Sequence, residues 1–143
     1  MGVNLSEVMT SNVDTCTPES SFNEVAGKMK DLNVGVIPIC ENEKLLGVVT
    51  DRDLVVKGLA HNMQADSKVS EILTNDIVTG TKDMSVKEAA SLMSEHQIRR
   101  LPIVENDKLV GIVSLGDLAV NNQSNKQAGK ALEEISVPAE PHN

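Results

Sequence analysis

The stretch VIPICENEKLLGVVTDRDL begins at Val36, and the stretch RLPIVENDKLVGIVSLGDL begins at Arg100. The two lie 64 positions apart and align without a gap. At the same offset, LSEVMTSNVDTCT from Leu5 aligns with VSEILTNDIVTGT from Val69. Such a gapless duplication indicates one structural unit used twice.

Each of the first two stretches contains two apolar runs joined by a short polar segment. The joining segments are Glu41-Asn42-Glu43 and Glu105-Asn106-Asp107. β-Branched runs with a polar connection of this length predict a β-hairpin in each repeat. Pro38 and Pro102 lack an N–H, so we expect them at a sheet edge or at the start of a strand.

The residues on either side of each hairpin predict further elements. A helical turn capped by Ser6 or Ser70 opens each repeat, followed by short extended pieces, Val13–Cys16 and Ile77–Thr79. An amphipathic helix comes next, with Ser20 or Ser21, or Ser85, as its cap. Its apolar positions recur at helical spacing: Phe22, Val25, Ala26 and Met29, then Val86, Ala89, Ala90 and Met93. A second helix follows Thr50 or Ser114, carrying Leu54, Val55 and Leu59, or Leu118.

The length of 143 residues suits one compact domain in which the two repeats share a core. That core must be aliphatic, because Phe22 is the only aromatic residue. The net charge of −8 argues against nucleic acid and anionic membranes as partners, since both require a basic surface. The apolar runs are too short to span a bilayer. Cys16 and Cys40 follow no disulfide pattern, which favours the cytoplasm.

The sharpest local signal lies where each hairpin runs into the second helix. Gly47-Val48-Val49-Thr50-Asp51-Arg52-Asp53 corresponds to Gly111-Ile112-Val113-Ser114-Leu115-Gly116-Asp117. A helix N-terminus attracts anions, a Thr or Ser hydroxyl can donate to a phosphate, and an ionised Asp suits ribose hydroxyls. Glycine would let a ligand approach the backbone. The same spacing also fits a capping box that needs no ligand.

The arginines favour the ligand interpretation. The chain has three, and Arg52 lies inside the first motif, whereas Arg99 and Arg100 precede the second hairpin. Arginine is the preferred bidentate partner of phosphate. The alternative is that all three are ordinary surface residues.

Catalysis and metal binding have little support. His61, His96 and His142 are scattered without the spacing of zinc ligands, and the position of His96 opposite Leu32 suggests a partly packed side chain. No phosphate-binding glycine motif of the nucleotide-hydrolase or dinucleotide type occurs. Asp51 and Asp53 form a carboxylate pair, but no nucleophile accompanies them. We therefore expect no enzyme activity and no metal.

The duplicated pattern resembles a tandem pair of CBS domains, also called a Bateman module. The resemblance rests on Val8-Met9-Thr10, the amphipathic helix, the Pro38 and Pro102 strands, and the two Gly-to-Asp motifs. It implies an α/β (α+β) fold of two β-α-β-β-α repeats packed sheet to sheet about a pseudo-twofold axis. The repeats would cover residues 5–59 and 69–121, joined by a linker at 60–68. A polar tail, 122–143, would follow, with a short helix at Ala131–Ile135.

The resemblance also implies a function. Such pairs commonly bind AMP, ADP, ATP or S-adenosylmethionine in two clefts, act as regulatory modules and form homodimers. By position, Thr50, Ser114, Arg52, Arg99 and Arg100 would contact phosphates, and Asp53 and Asp117 would hold the ribose. Val36, Ile37 and Leu101 would border the adenine, with Thr15 and Thr79 more loosely placed. Any regulated protein would be acted on in trans.

The two clefts should differ, because the charged residues are not repeated. Gly35 and Val36 stand where the second repeat has Arg99 and Arg100. A ligand-free module for oligomerisation or partner docking is the alternative function, in which the two motifs are caps only.

Overall fold

The computed structural model describes residues 3–119, which form two compact α+β units. One unit is Asp14–Ile77, and the other joins residues 3–13 to residues 78–119. The opening segment of each repeat therefore belongs to the unit that contains the hairpin of the other repeat. The predicted tail and its short helix at Ala131–Ile135 lie outside the described residues.

The predicted hairpins are confirmed in both units. Their strands are β1 (Val36–Glu41), β2 (Lys44–Thr50), β3 (Arg100–Glu105) and β4 (Lys108–Ser114). Both turn residues have positive φ in each hairpin: 53° and 71° at Asn42 and Glu43, and 53° and 68° at Asn106 and Asp107. This is the left-handed two-residue turn that matches the twist of paired strands, and Asn tolerates it well.

Both prolines lie inside their strands and at an outer edge. The carbonyl of Pro38 accepts from Cys16 N–H at 3.1 Å, and the carbonyl of Pro102 accepts from Gly80 N–H at 2.9 Å. In a strand the N–H and C=O of one residue point to the same side. The missing N–H therefore falls on the side away from β2 or β4, which fulfils the edge expectation.

The two amphipathic helices are also confirmed, as α1 (Phe22–Leu32) and α3 (Val86–His96). Ser21 and Ser85 cap them, each in a capping box with the glutamate three residues later. The apolar face of α3 is buried as expected. In α1 the prediction for Ala26 was wrong, because this residue is exposed while Phe22, Val25 and Met29 carry the packing.

The opening segments contain less regular structure than the sequence suggested. The turns are single 3-10 turns at Leu5–Glu7 and Val69–Glu71, preceded by Asn4 and Lys68. Ser6 and Ser70 lie within the turns, so the prediction that they are caps was wrong. In place of the two predicted extended pieces, the structure has isolated β-bridges that pair Cys16 with Ile39 and Gly80 with Ile103.

The helix after β2 changes its hydrogen-bond pattern along its length. It starts as α2 (Asp51–Asp53), widens to a π-helical segment at Leu54–Gly58 and ends in a 3-10 turn at Leu59–His61. The counterpart after β4 is α4 (Leu115–Ala119). Gly58 is required by space, since a Cβ there would lie 2.6 Å from Cε2 of Phe22.

Each unit has its own aliphatic core, in place of the single shared core expected. The cluster around Met93 and Leu101 includes Leu5 from the opening segment of the first repeat. The cluster around Val25 and Ile37 includes Val69 and Ile72 from that of the second. Neither repeat alone therefore contains all the buried residues of one core.

Between residues 3 and 119 no helix is both long and apolar enough to cross a membrane.

The opening segments pack directly on the glycines of β2 and β4. Thr74 and Val48 exchange both backbone hydrogen bonds, at 3.0 and 3.1 Å, as do Thr10 and Ile112, at 2.9 and 3.0 Å. A Cβ added at Gly47 would run into the backbone carbonyl of Thr74. Glycine at this position therefore makes room for the crossing chain.

Gly47→Ala and Gly111→Ala provide a matched test of this packing. At Gly47 the obstacle is backbone, so the paired segment must shift, and we expect a loss of about 1–3 kcal/mol. At Gly111 the nearest atom is Sδ of Met9 at 2.6 Å, a flexible side chain that can turn away, so the loss should be smaller. Urea unfolding of both variants measures the difference, and an equal or larger loss for Gly111→Ala would contradict the packing argument.

Candidate functional site

Thr50 and Asp53 form a reciprocal pair of hydrogen bonds at the end of β2. Asp53 N–H donates to Thr50 Oγ1 at 3.0 Å, and Thr50 N–H donates to Asp53 Oδ2 at 2.9 Å. Thr50 is the N-cap residue of α2, with an extended backbone. The carboxylate is largely buried, with 12% of the Asp53 side chain exposed.

Ser114 and Asp117 repeat this arrangement at the end of β4. Asp117 N–H donates to Ser114 Oγ at 3.1 Å, and Ser114 N–H donates to Asp117 Oδ2 at 2.9 Å. Both side chains are half-buried. The capping-box interpretation of the motifs is therefore confirmed in both units.

The capping hydrogen bonds leave the side chains of both boxes able to form further hydrogen bonds. In each box the hydroxyl oxygen acts as an acceptor, so its own O–H is still a donor. Among the residues described, neither Thr50 nor Ser114 donates this proton to a protein acceptor. Each carboxylate uses Oδ2 within the box, which leaves Oδ1 directed elsewhere. A capped junction can thus present one donor and one acceptor to a small molecule.

One expectation about the motifs needs correction. The glycines do not open the backbone to a ligand, because Thr74 covers Gly47, and Met9 and Thr10 cover Gly111. At these two glycines the backbone is therefore closed to a ligand.

The three arginines are uncommitted to protein carboxylates. Arg52 and Arg99 are exposed and Arg100 is half-buried, and within residues 3–119 none of them forms an ion pair. Arg100 is the cross-strand register partner of Ser114, and Arg99 accepts from Leu115 N–H through its carbonyl at 3.0 Å. The backbones of both arginines therefore adjoin the strand end and helix start that carry the Ser114–Asp117 box.

The other unit carries opposite charge at the matching place. Gly35 accepts from Asp51 N–H at 2.9 Å, and a Cβ on Gly35 would come within 3.2 Å of Asp51 Oδ2. Asp51 corresponds to Leu115, which is buried in the core at 4% exposure. The junction of Asp14–Ile77 thus presents a carboxylate where its counterpart presents arginines.

The residues predicted to border an adenine lie at different depths. Ile37 and Leu101 are buried in the two cores, so only their backbone atoms are available for contact. Val36 is half-buried and is the register partner of Thr50. Thr15 and Thr79 are half-buried and each precedes an isolated bridge residue.

Sequence reasoning missed two residues at the first motif. Lys57 Nζ lies 3.3 Å from Asp53 Oδ1 and donates to Thr74 Oγ1 at 3.0 Å. The spacing of Asp53 and Lys57, four residues apart on a helix, is a recognisable ion-pair signal. No local pattern predicts the role of Thr74, because this residue is distant from Lys57 in the sequence and contacts it only in the folded chain.

The remaining chemically active side chains do not build a site. Burial raises the pKa of the Cys16 and Cys40 thiols, which keeps them protonated and poor nucleophiles. His96 is exposed beside Glu95, so the prediction of a partly packed side chain was wrong. The portion of the chain that the structure describes contains no group of three or more His, Cys, Asp or Glu residues able to hold a metal.

Comparison with known proteins identifies close relatives. CBS domain-containing protein YhcV of Bacillus subtilis is 47% identical over 130 residues, which cover 91% of this chain and 93% of that protein. Hypoxic response protein 1 of Mycobacterium tuberculosis is 32% identical over 115 residues, 79% of this chain and 80% of that protein.

Solved structures share the fold. A crystal structure of Hypoxic Response Protein I with two coordinated zinc ions has a TM-score of 0.76 and 30% identity, covering 83% of this chain and 98% of that one. The CBS domain pair of protein MJ0100, solved with 5′-methylthioadenosine and S-adenosyl-L-methionine, has a TM-score of 0.73 and 27% identity. That match covers 84% of this chain and 95% of the other.

The family model of the CBS domain matches twice, at residues 5–58 and 69–121, the two repeats of the sequence. These matches, together with the identity to YhcV, settle the family. The chain belongs to the CBS-domain family and carries a tandem pair of CBS domains.

Proposed function

We propose that this protein is a regulatory module that binds an adenosine-containing ligand through one or both of its capping boxes, Thr50–Asp53 and Ser114–Asp117. The main support for the proposal is the hydrogen bonding of the Thr50 and Ser114 hydroxyls. Each accepts a backbone hydrogen bond and keeps its own O–H, beside a carboxylate held in place by the same box. A donor for phosphate and an acceptor for ribose are thereby preorganised together.

The relative MJ0100 supports the choice of ligand class. Its CBS domain pair was solved with two compounds that contain the adenosine group, neither of which carries a phosphate. The part common to the two compounds is the nucleoside. We therefore assign the ribose to the aspartates, and the adenine to the neighbourhood of Val36, Ile37 and Leu101 with Thr15 and Thr79 beside it. The arginines Arg52, Arg99 and Arg100 would add affinity for phosphorylated nucleotides.

The proposal places no catalysis in this chain. Burial raises the pKa of both thiols, which keeps them protonated, and each boxed carboxylate holds a backbone N–H through Oδ2 and is assigned to the ribose through Oδ1. Ligand binding would instead change the packing of the CBS domains, or of a dimer, and a separate protein would respond in trans. Two free, buried cysteines fit a reducing compartment, so we place the protein in the cytoplasm.

Thermal melting tests ligand binding directly. AMP, ADP, ATP or S-adenosylmethionine at about 100 times its dissociation constant should stabilise the fold by roughly 2.7 kcal/mol, or on the order of 5–10 °C. The 2′-deoxy form of the best nucleotide should shift the melting temperature less, because the aspartate then loses one ribose hydroxyl. If none of the four compounds raises the melting temperature, the proposal is wrong.

Asparagine variants separate capping from binding. Asp53→Asn and Asp117→Asn keep a side-chain oxygen that accepts the Thr50 or Ser114 N–H, but they remove the charge. We expect each unliganded variant to melt close to the wild type. Where the box holds the ribose, the ligand-induced shift should disappear. Equal ligand shifts for the wild type and both variants would show that the boxes are caps only.

A second function is favoured by one surface. Val55, Val56 and Leu59 follow each other on the helix after β2 and are 55%, 45% and 69% exposed. Apolar side chains grouped in this way usually mark a protein contact. Since the resemblance implies a homodimer, we propose that this strip covers the same strip of a second chain.

Sedimentation of Leu59→Glu tests the dimer. The introduced charge would have to be buried at a dimer interface, so the variant should sediment as a monomer where the wild type is dimeric. Lys68→Gln, an exposed change elsewhere in the same unit, is the control and should remain a dimer. Dimeric Leu59→Glu, or a monomeric wild type, would exclude this interface.

A further inference from the structure

The two boxes differ in what contacts the second carboxylate oxygen. Asp53 Oδ1 lies 3.3 Å from the ammonium of Lys57, and its Oδ2 accepts the Thr50 N–H. Asp117 Oδ2 accepts the Ser114 N–H, and among residues 3–119 no cation lies within ion-pair distance of this side chain. Four positions beyond Asp117 the sequence has Asn121, where the first repeat has Lys57.

Lys57 is held in place by a second contact. Its Nζ donates to Thr74 Oγ1 at 3.0 Å, and the Thr74 backbone is paired in both directions with Val48 of β2. The lysine therefore links Asp53 to a fixed segment of the same unit. Since 12% of the Asp53 side chain is exposed, the pair is shielded from water on the carboxylate side, which strengthens it relative to a surface pair.

A ribose diol and Lys57 compete for the same atom. A ribose diol that donates to both oxygens of the carboxylate uses at least one acceptor position on the oxygen outside the box, which is Oδ1 in both motifs. At Asp117, no side chain among residues 3–119 pairs with this oxygen. At Asp53 the sugar would have to displace an ammonium that is also bonded to Thr74, and would leave a charge without its partner.

The charged residues around the boxes also favour nucleotide binding at the Ser114–Asp117 box. The backbones of Arg99 and Arg100 adjoin the residues of the Ser114–Asp117 box, whereas the Asp51 carboxylate lies next to Gly35 at the matching place of the other unit. A phosphate is attracted to the first environment and repelled by the carboxylate of the second. Arg52 and Lys57 offset that repulsion, but Lys57 is already paired.

We propose that an adenine nucleotide binds at the Ser114–Asp117 box and that Lys57 acts as a latch that keeps the Thr50–Asp53 box closed to ribose. This inference rests on the proposed function and specifies it: each chain takes up one nucleotide. The latch is a specificity device of the first repeat, and its release opens a second site.

Calorimetric titration with AMP, ADP and ATP tests the latch by counting sites. Wild-type protein should bind one nucleotide per chain, and Asp117→Asn should weaken this binding roughly 10- to 100-fold. Lys57→Gln should bind two per chain, since the amide is uncharged and its side chain is one carbon shorter than that of lysine. The double variant Lys57→Gln with Asp117→Asn should return to one, now at Asp53.

Matched variants separate the latch from a loss of stability. Lys68→Gln breaks another ion pair of the same unit, with Glu19, and should stay at one site. Lys57→Arg retains a cation and should also stay at one, while Thr74→Val loosens the lysine and should raise affinity at the second site. Because the readout is the number of nucleotides bound, a change in stability alone does not imitate it.

The outcomes distinguish this inference from the function on which it rests. Two sites in the wild type, one site in Lys57→Gln, or a wild-type site removed by Asp53→Asn and not by Asp117→Asn would overturn the latch while leaving nucleotide binding intact. Absence of binding to the wild type and to every variant would overturn the proposed function, and the latch with it.

Discussion

The backbone pairing of Thr74 with Val48, and of Thr10 with Ile112, is the constraint on which the rest of the fold depends. Each pairing seats the opening segment of one repeat on the hairpin of the other, above a glycine that leaves the space. Leu5 and Val69 enter the cores in this way. Neither core is complete without a segment from the other repeat, so the two CBS domains must fold together.

Local patterns were sufficient to predict most of the regular structure. The hairpins follow from β-branched runs joined by two residues that accept positive φ, and α1 and α3 follow from their caps and apolar spacing. Both boxes were predictable because their partners lie three residues apart. In all of these, the decisive contacts lie within a few positions along the chain.

The location of the opening segments could not be predicted, for a physical reason. Because the repeats are similar, the segment at Leu5 suits its own hairpin about as well as that of the other repeat. The local sequence does not distinguish between the two hairpins, so the connections of the chain decide which hairpin the segment packs on. Thr74 was missed for the same reason, because its contact with Lys57 depends on which hairpin its segment packs on. The π-helical widening at Leu54–Gly58 likewise has no local signal that we can identify.

The side chains proposed to recognise a ligand are the same ones that cap the helices, and this affects how the duplication is interpreted. A Thr or Ser at the end of a strand and an Asp three residues later stabilise the junction whether or not anything binds there. The presence of a box in both repeats is therefore no proof of two binding sites, since folding alone requires both.

Binding must instead be decided by groups that folding does not require. Lys57 is such a group, because the Thr50–Asp53 box forms both of its hydrogen bonds without it and the second repeat has Asn121 at the matching position. Arg99 and Arg100 are others, since they have no carboxylate partner within the residues that the structure describes. All three lie outside the boxes and differ between the repeats. The repeated residues thus account for the scaffold, and under the proposed function the residues that are not repeated would determine which box receives a ligand.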